Sequence, residues 1–254
     1  VRYDVNLSLL FTELPLLERA AAARAAGFTA VEFWWPFDTA TPADAEVDGF
    51  VRAIDEAGVR LVSLNFFAGD MAAGDRGLVS WPGREREFAD SVRLAVEIGR
   101  RLGCRTFNAL YGNEGAHELA LSNLDFAAAE AGRIGARLVL EPLSGAERYP
   151  LKTAADAFAV LDTLGRENVQ LLFDLYHLGV NGDDLGAVID EHLDRVGHVQ
   201  VADAPGRHQP GTGSLGIEAY LARLAKAGYE GWVGLEYVPL GPSAESFDWL
   251  EGAR

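Results

Sequence analysis

The sequence predicts a (β/α)8 TIM barrel, and three observations carry that expectation. Short apolar runs recur along the chain, and several stop at an acid: Arg137–Glu141 (RLVLE), Val169–Asp174 (VQLLFD) and Gly231–Glu236 (GWVGLE). Longer alanine-rich or amphipathic stretches alternate with them, many closed by the glycine that a helix C-terminal cap requires. The segment after the first run, Asn6–Leu16, holds no glycine, which argues against an open doubly wound sheet with its glycine-rich phosphate loop. Runs buried on both faces should not end repeatedly in unpaired carboxylates, because burying such charge is costly. Parallel strands whose C-terminal ends converge on one mouth resolve the conflict.

In chain order, Val1–Leu10 reads as the first strand; with an acid inside it, it does not resemble a signal peptide. Leu14–Ala26 is a helix closed by Gly27, and Phe28–Phe33 a second strand followed by the aromatic loop Trp34–Phe37. The helix over Pro42–Ala57 stops at Gly58, and Val59–Asn65 forms strand three. Phe66–Gly83 exceeds an ordinary βα connection and is expected to form a flap or wall of a site. Helix Arg84–Leu102, strand Arg105–Leu110 and helix Glu118–Ile134 follow, then strand five over Arg137–Glu141 and helix Thr153–Leu164. Strand six, helix Asp184–Leu193, a seventh strand opened by His198, helix Ile217–Ala227 and strand eight complete the pattern. Pro239–Arg254 is expected as a last loop and short helix. No linker or low-complexity tract interrupts the chain, so residues 1–254 are expected as one barrel domain.

Composition narrows the function. Thirty-eight Asp and Glu against 22 Lys and Arg give a formal charge of −16, which argues against a nucleic-acid partner. An anionic substrate would be repelled at long range and needs locally placed cations. No run of 18 apolar residues appears, so no membrane span is expected. A lone Cys104 excludes an intrachain disulfide, suits a reducing cytoplasm and reads as buried filler. A homo-oligomer is compatible with all of this.

Reading the strand ends gives Glu32, Asn65, Glu141, Asp174, Gln200, Asp203 and Glu236. Glu141, Asp174, Gln200 and Glu236 come from strands five to eight and all offer oxygen, the donor set that Mg²⁺ or Mn²⁺ prefers. One such acid is more often a salt-bridged strand end; four on consecutive strands favour a metal site. His177, three residues after Asp174, can reach a substrate oxygen just past a strand end. Arg207 and His208 sit in the loop of Asp203–Gly213 (DAPGRHQPGTG) and are the cations expected to clamp a substrate carboxylate. His198 reads as structural, on the far side of the barrel. Trp34, Phe66, Trp81 and Tyr237 are candidate pocket walls.

These segments resemble the hydroxypyruvate isomerase family, within the xylose-isomerase-like barrels. The resemblance runs over Asn6–Pro15, Gly27–Phe33, Ala68–Asp70, Pro82–Arg84, Glu141-Pro142, Phe173–His177, His198–Gly213 and Gly231–Tyr237. It implies metal binding by Glu141, Asp174, Gln200 and Glu236, proton transfer at Glu141 and Glu236, and substrate contact by His177 and Arg207; His208, by its loop, and Asn65, by its strand end, are expected on the substrate side as well. It further implies isomerisation of hydroxypyruvate to 2-hydroxy-3-oxopropanoate, a small hydroxy-keto acid reaction needing no organic cofactor. A 2-oxo-tetronate-type sugar-acid isomerase and a ketose 3-epimerase are the alternatives on the same barrel. The chain departs from the family at Ser214-Leu-Gly216, where an acid is common, and at Ser144, where asparagine is usual.

Overall fold

The computed structural model describes residues 1–253. Among them, eight parallel strands close into a barrel in chain order: β1 (Arg2–Asn6), β2 (Ala30–Phe33), β3 (Arg60–Asn65), β4 (Thr106–Asn108), β5 (Arg137–Leu140), β6 (Val169–Asp174), β7 (Val196–Val201) and β8 (Trp232–Leu235). The seam is an ordinary parallel pairing, with Arg2 opposite Trp232 and Val5 opposite Leu235. Around it lie α1 (Arg19–Ala25), α2 (Asp44–Ala57), α3 (Glu85–Leu102), α4 (His117–Gly132), α5 (Ala154–Leu164), α6 (Leu175–Val180), α7 (Leu185–His192) and α8 (Ile217–Lys226). No helix of the described residues is long and apolar enough to cross a membrane.

Local chemistry explains the helix ends. Gly58, Gly103 and Gly165 stop α2, α3 and α5 in the left-handed conformation that glycine adopts without a Cβ clash. Thr153 caps α5 reciprocally with Asp156. The helix α3 buries Phe88, Val92, Ala95, Val96 and Ile98 on one face. Gly99 on that face lets the helix close on Phe107 of β4, where a Cβ would come within 2.5 Å of the ring.

Four expectations need correction. The first strand ends at Asn6, and Leu7–Leu10 turn away, with the Ser8 amide donating to Asn6 Oδ1 at 3.0 Å. The sixth connection carries an additional short helix, α6, while the helix expected after β8 is two 3-10 turns, Ser243–Glu245 and Asp248–Ala253. His198 does not open its strand, since β7 begins at Val196; it does lie toward the end of the barrel opposite the mouth, and alternation turns it inward with Gln200. Asp4 with Asn6 and Gly234 with Glu236 follow the same alternation. The barrel interior therefore carries stacked polar layers beneath its mouth.

Candidate active site

The sixth strand delivers two groups at once. Asp174 ends β6, and its Oδ1 accepts the backbone N–H groups of Tyr176 (2.7 Å) and His177 (3.3 Å), capping α6. That cap holds His177 on the first helical turn, with Nε2 3.8 Å from Asp174 Oδ2 and 3.8 Å from Glu141 Oε1. Nδ1 accepts the Ser144 N–H at 3.0 Å, so the neutral ring carries its proton on Nε2, aimed at the acids. Burial holds His177 well below its usual range, at about 4, keeping it neutral at physiological pH.

Glu141 and Glu236 are both buried. Asn108 Nδ2 donates to Glu141 Oε2 at 2.6 Å, and Asn6 Nδ2 to Glu236 Oε2 at 2.7 Å. Those amides leave each Oε1 to the cavity side: Glu141 Oε1 near His177, and Glu236 Oε1 in an ion pair with Arg207. Burial and the charge of Asp174 push Glu141 up to about 8. Burial likewise raises Glu236 well above the carboxylate range, against the opposing pull of Arg207, with Glu141, Glu32 and Asp174 adding to the rise. One arginine does not balance these acids.

Arg207 takes a left-handed backbone conformation (φ 57°), uncommon for a residue with a Cβ. Its loop is organised by Asp203, whose two carboxylate oxygens accept the N–H groups of Ala204 (2.9 Å), Gly211 (2.9 Å), Gly213 (2.9 Å) and Leu215 (3.0 Å). A Cβ at Gly213 would meet the Ala204 carbonyl oxygen at 2.2 Å, so only glycine fits there. The guanidinium binds Glu236, lies 3.8 Å from Asp174 Oδ2 and stands 5.5 Å over the Tyr176 ring. His208, expected beside it, turns away: its Nδ1 meets the Val238 carbonyl at 2.7 Å and the residue does not line the cavity. The backbone pairing of Asp203 with His208 fixes that outward direction.

The cavity measures about 130 Å³ and is lined by Glu141, His177, Arg207 and Glu236, with Asn65, Ser144 and Arg76. Trp34, Asn65 and Met71 are shared with a second cavity of about 670 Å³, walled by Trp35, Phe37 and the Phe66–Met71 stretch. The long Phe66–Gly83 loop is thus a wall to both. Of the aromatic candidates, Trp34 and Phe66 line these cavities, whereas Trp81 stacks under Arg84 and Tyr237 is buried on Ser246.

The donor set fits a hard divalent cation. Gln200 spends its amide N–H groups on Glu32 Oε1 (2.8 Å) and Glu236 Oε2, leaving its buried Oε1 without a partner. An orphaned carbonyl oxygen beside acids of raised proton affinity is what a site built for a cation displays before the cation is bound. Glu141, Asp174 and His177 also form one of two ligand groups, among the described residues, tight enough to share an ion. The other, Asp4, Glu32 and His198, was not anticipated: His198 Nε2 meets Glu32 Oε2 at 2.6 Å, and both Asp4 oxygens lack a donor. Gly234 leaves the space; a Cβ there would lie 2.6 Å from Glu32 Oε1.

Comparison with known proteins agrees with the barrel fold. A family model described as xylose isomerase-like TIM barrel matches residues 20–253. The chain is 55% identical to a putative hydroxypyruvate isomerase of Streptomyces coelicolor, over 100% of this chain and 97% of that one. It is 32% identical to a 2-oxo-tetronate isomerase of Cupriavidus necator, over 98% and 97%. A solved structure from Brucella melitensis, described as an AP endonuclease of family 2, superimposes with a TM-score of 0.90 at 34% identity, covering 100% of this chain and 99% of that one.

Proposed function

The chain belongs to the xylose-isomerase-like TIM barrel family, in its hydroxypyruvate and 2-oxo-tetronate isomerase group, and from that premise we propose that it interconverts hydroxypyruvate and 2-hydroxy-3-oxopropanoate with a divalent metal, Mg²⁺ or Mn²⁺. One observation carries the reading: Glu141 and Glu236, two buried acids of raised proton affinity, share a cavity of about 130 Å³ with His177 and Arg207. That volume suits a small acid, and the neighbouring cation set suits its charge.

Glu141, Asp174, Gln200 and Glu236 are the residues that would hold the metal. When bound, it would acidify the C–H beside the substrate carbonyl and offset enediolate charge. The isomerisation moves one hydrogen from C3 to C2 and one hydroxyl proton from O3 to O2. Of Glu141 and Glu236, one removes the C3 proton through its cavity-side Oε1 and the facing carboxyl group delivers a proton to C2. Asn108 and Asn6 fix the opposite oxygens, so each acid presents one defined oxygen. His177 starts neutral with its proton on Nε2; it gives that proton to one substrate oxygen and takes one from the other. Arg207 faces the substrate oxygens while holding Glu236, and Asn65 completes the wall.

A 2-oxo-tetronate is the second reading, favoured by the 670 Å³ space adjoining the cavity across Trp34, Asn65 and Met71, on the side where a longer acid would extend. The buried thiol of Cys104 suits a reducing, cytoplasmic setting. The test is a product spectrum over small hydroxy-keto acids and free ketoses, with and without chelator. Metal-dependent conversion of hydroxypyruvate is expected; epimerisation of a ketose with hydroxypyruvate untouched would overturn the reading.

A further inference from the structure

Two guanidinium groups line the catalytic cavity, and only Arg207 is matched by acids. Arg76 forms no ion pair with any described residue. Its Nη1 donates to the carbonyls of Met71 (3.0 Å) and Asp75 (2.7 Å), leaving the Nε–Nη2 edge with no protein acceptor. The adjacent carboxylate goes elsewhere: Asp75 Oδ2 takes the Asp70 N–H at 2.8 Å and pairs with Arg84 at 3.3 Å. In a chain of charge −16, this cation at the wall of a reacting cavity ties two carbonyls of its own loop and yet has no acid matched to it.

The loop holds that cation in place. The Gly77 N–H donates to the Ala68 carbonyl at 2.9 Å, and a Cβ at Gly77 (φ 104°) would lie 1.8 Å from the Leu110 carbonyl oxygen. Three residues on, the Ser80 N–H donates to the Tyr111 carbonyl at 2.8 Å. The backbone just past Arg76 is thereby clamped to the segment following β4, so the guanidinium approaches the cavity from a fixed base.

We propose that Arg76 reads the substrate carboxylate: its free edge takes both carboxylate oxygens, while Arg207 remains on Glu236 and Asp174 and steadies those acids. This rests on the small-acid reading above and sharpens it, because it assigns selection of acids over neutral hydroxy-carbonyl compounds to a residue outside the metal and proton-transfer set. An arginine fork matches a carboxylate bidentately, and lysine keeps the charge without the second hydrogen bond.

The experiment measures binding of D-glycerate and of its neutral amide, glyceramide, to the metal-loaded protein by calorimetry. The proteins compared are wild type, Arg76→Lys and Arg76→Gln, with a metal titration on each. Wild type should prefer glycerate. Arg76→Gln should weaken glycerate by roughly 30-fold or more and glyceramide by under about threefold, with Arg76→Lys between them. Metal stoichiometry should not change. Retained preference for glycerate in Arg76→Gln would overturn the assignment and leave the small-acid reading intact. Equal losses on both ligands, or loss of metal binding, would make Arg76 a loop-shaping residue and also overturn it. A wild type indifferent to the carboxylate would overturn both.

Discussion

Two acid–acid–histidine groups lie inside this barrel, one above the other, and they differ in what surrounds them. The upper one places Glu141 and His177 on the wall of the 130 Å³ cavity, beside two arginines and the unpartnered oxygen of Gln200. The lower one lies away from that cavity, and both Asp4 oxygens there lack a donor. Glu32 accepts from Asn6 at 3.0 Å, from Gln200 at 2.8 Å and meets His198 at 2.6 Å, while burial and the charge of Glu32 raise the proton affinity of Asp4 well above the usual carboxylate range. Only His198 reaches a wall, that of a 390 Å³ cavity at the opposite end of the barrel. Residue type alone therefore does not mark the reactive centre. Unspent donor and acceptor capacity, within reach of a small molecule, does. The lower group serves the upper: Glu32 holds the two amides that in turn hold Glu236.

The largest expected contrast is in turnover. Glu141→Gln and Glu236→Gln, each shown to be metal-loaded, should lower kcat by roughly 10³-fold, and Asp4→Asn by under about tenfold. Steady-state kinetics on hydroxypyruvate reads this, and comparable losses at both levels would erase the division. Stability should reverse the order. Glu32→Ala strands the donors of Asn6, Gln200 and His198 in a sealed interior and should cost about 3 kcal/mol or more in urea unfolding of the metal-free protein. Glu141→Gln relieves crowding among acids and should change stability by under about 1 kcal/mol. A Glu32→Ala protein as stable as wild type would remove the supporting role.

Metal binding sharpens the contrast by pH. Because Glu141 is pushed up to about 8, a metal entering below that pH must displace a proton. Affinity should rise by up to about tenfold per pH unit between pH 6 and 8 and level off above, with proton release in buffers of different ionisation enthalpy. A flat profile would show that Glu141 is not a ligand. The smallest effect belongs to Asp4. Its folded-state proton affinity is raised, so the folded protein keeps a proton that the unfolded chain has released above the ordinary carboxylate range. Stability then declines as pH rises from that range toward the folded value. Asp4→Asn should flatten this decline across pH 5 to 8 in chemical denaturation of the metal-free protein, and an unaltered slope would assign it to other groups.

Much of the architecture was legible in the sequence because two signals are local. A glycine that stops a helix and an apolar run that stops at an acid need no knowledge of the rest of the chain, and Gly58, Gly103, Glu141 and Asp174 are such cases. The strand-end rule brought Glu141, Asp174, Gln200 and Glu236 to one mouth, since parallel strands point their ends the same way. It names Glu32 but passes over Asp4, whose polarity in mid-strand looks like the solvent side of an alternating strand until closure turns it inward. Loop directions were the harder part. His208 turns outward because its backbone pairs with Asp203, a contact no spacing reveals. The helix α6 exists because the Asp174 carboxylate caps it, a cap that the strand reading had hidden. Arg76 had a signal that went unused: it is the one Lys or Arg in Phe66–Gly83, a loop already too long for a simple connection.

Asp203 separates frame from cargo. One carboxylate gathers four backbone amides, from Ala204, Gly211, Gly213 and Leu215, and so writes the path of the loop without consulting the side chains between them. The consequence is a division of labour: the acid and its two glycines seat the loop, so Arg207 is presented to Glu236 from a backbone whose course does not depend on the Arg207 side chain.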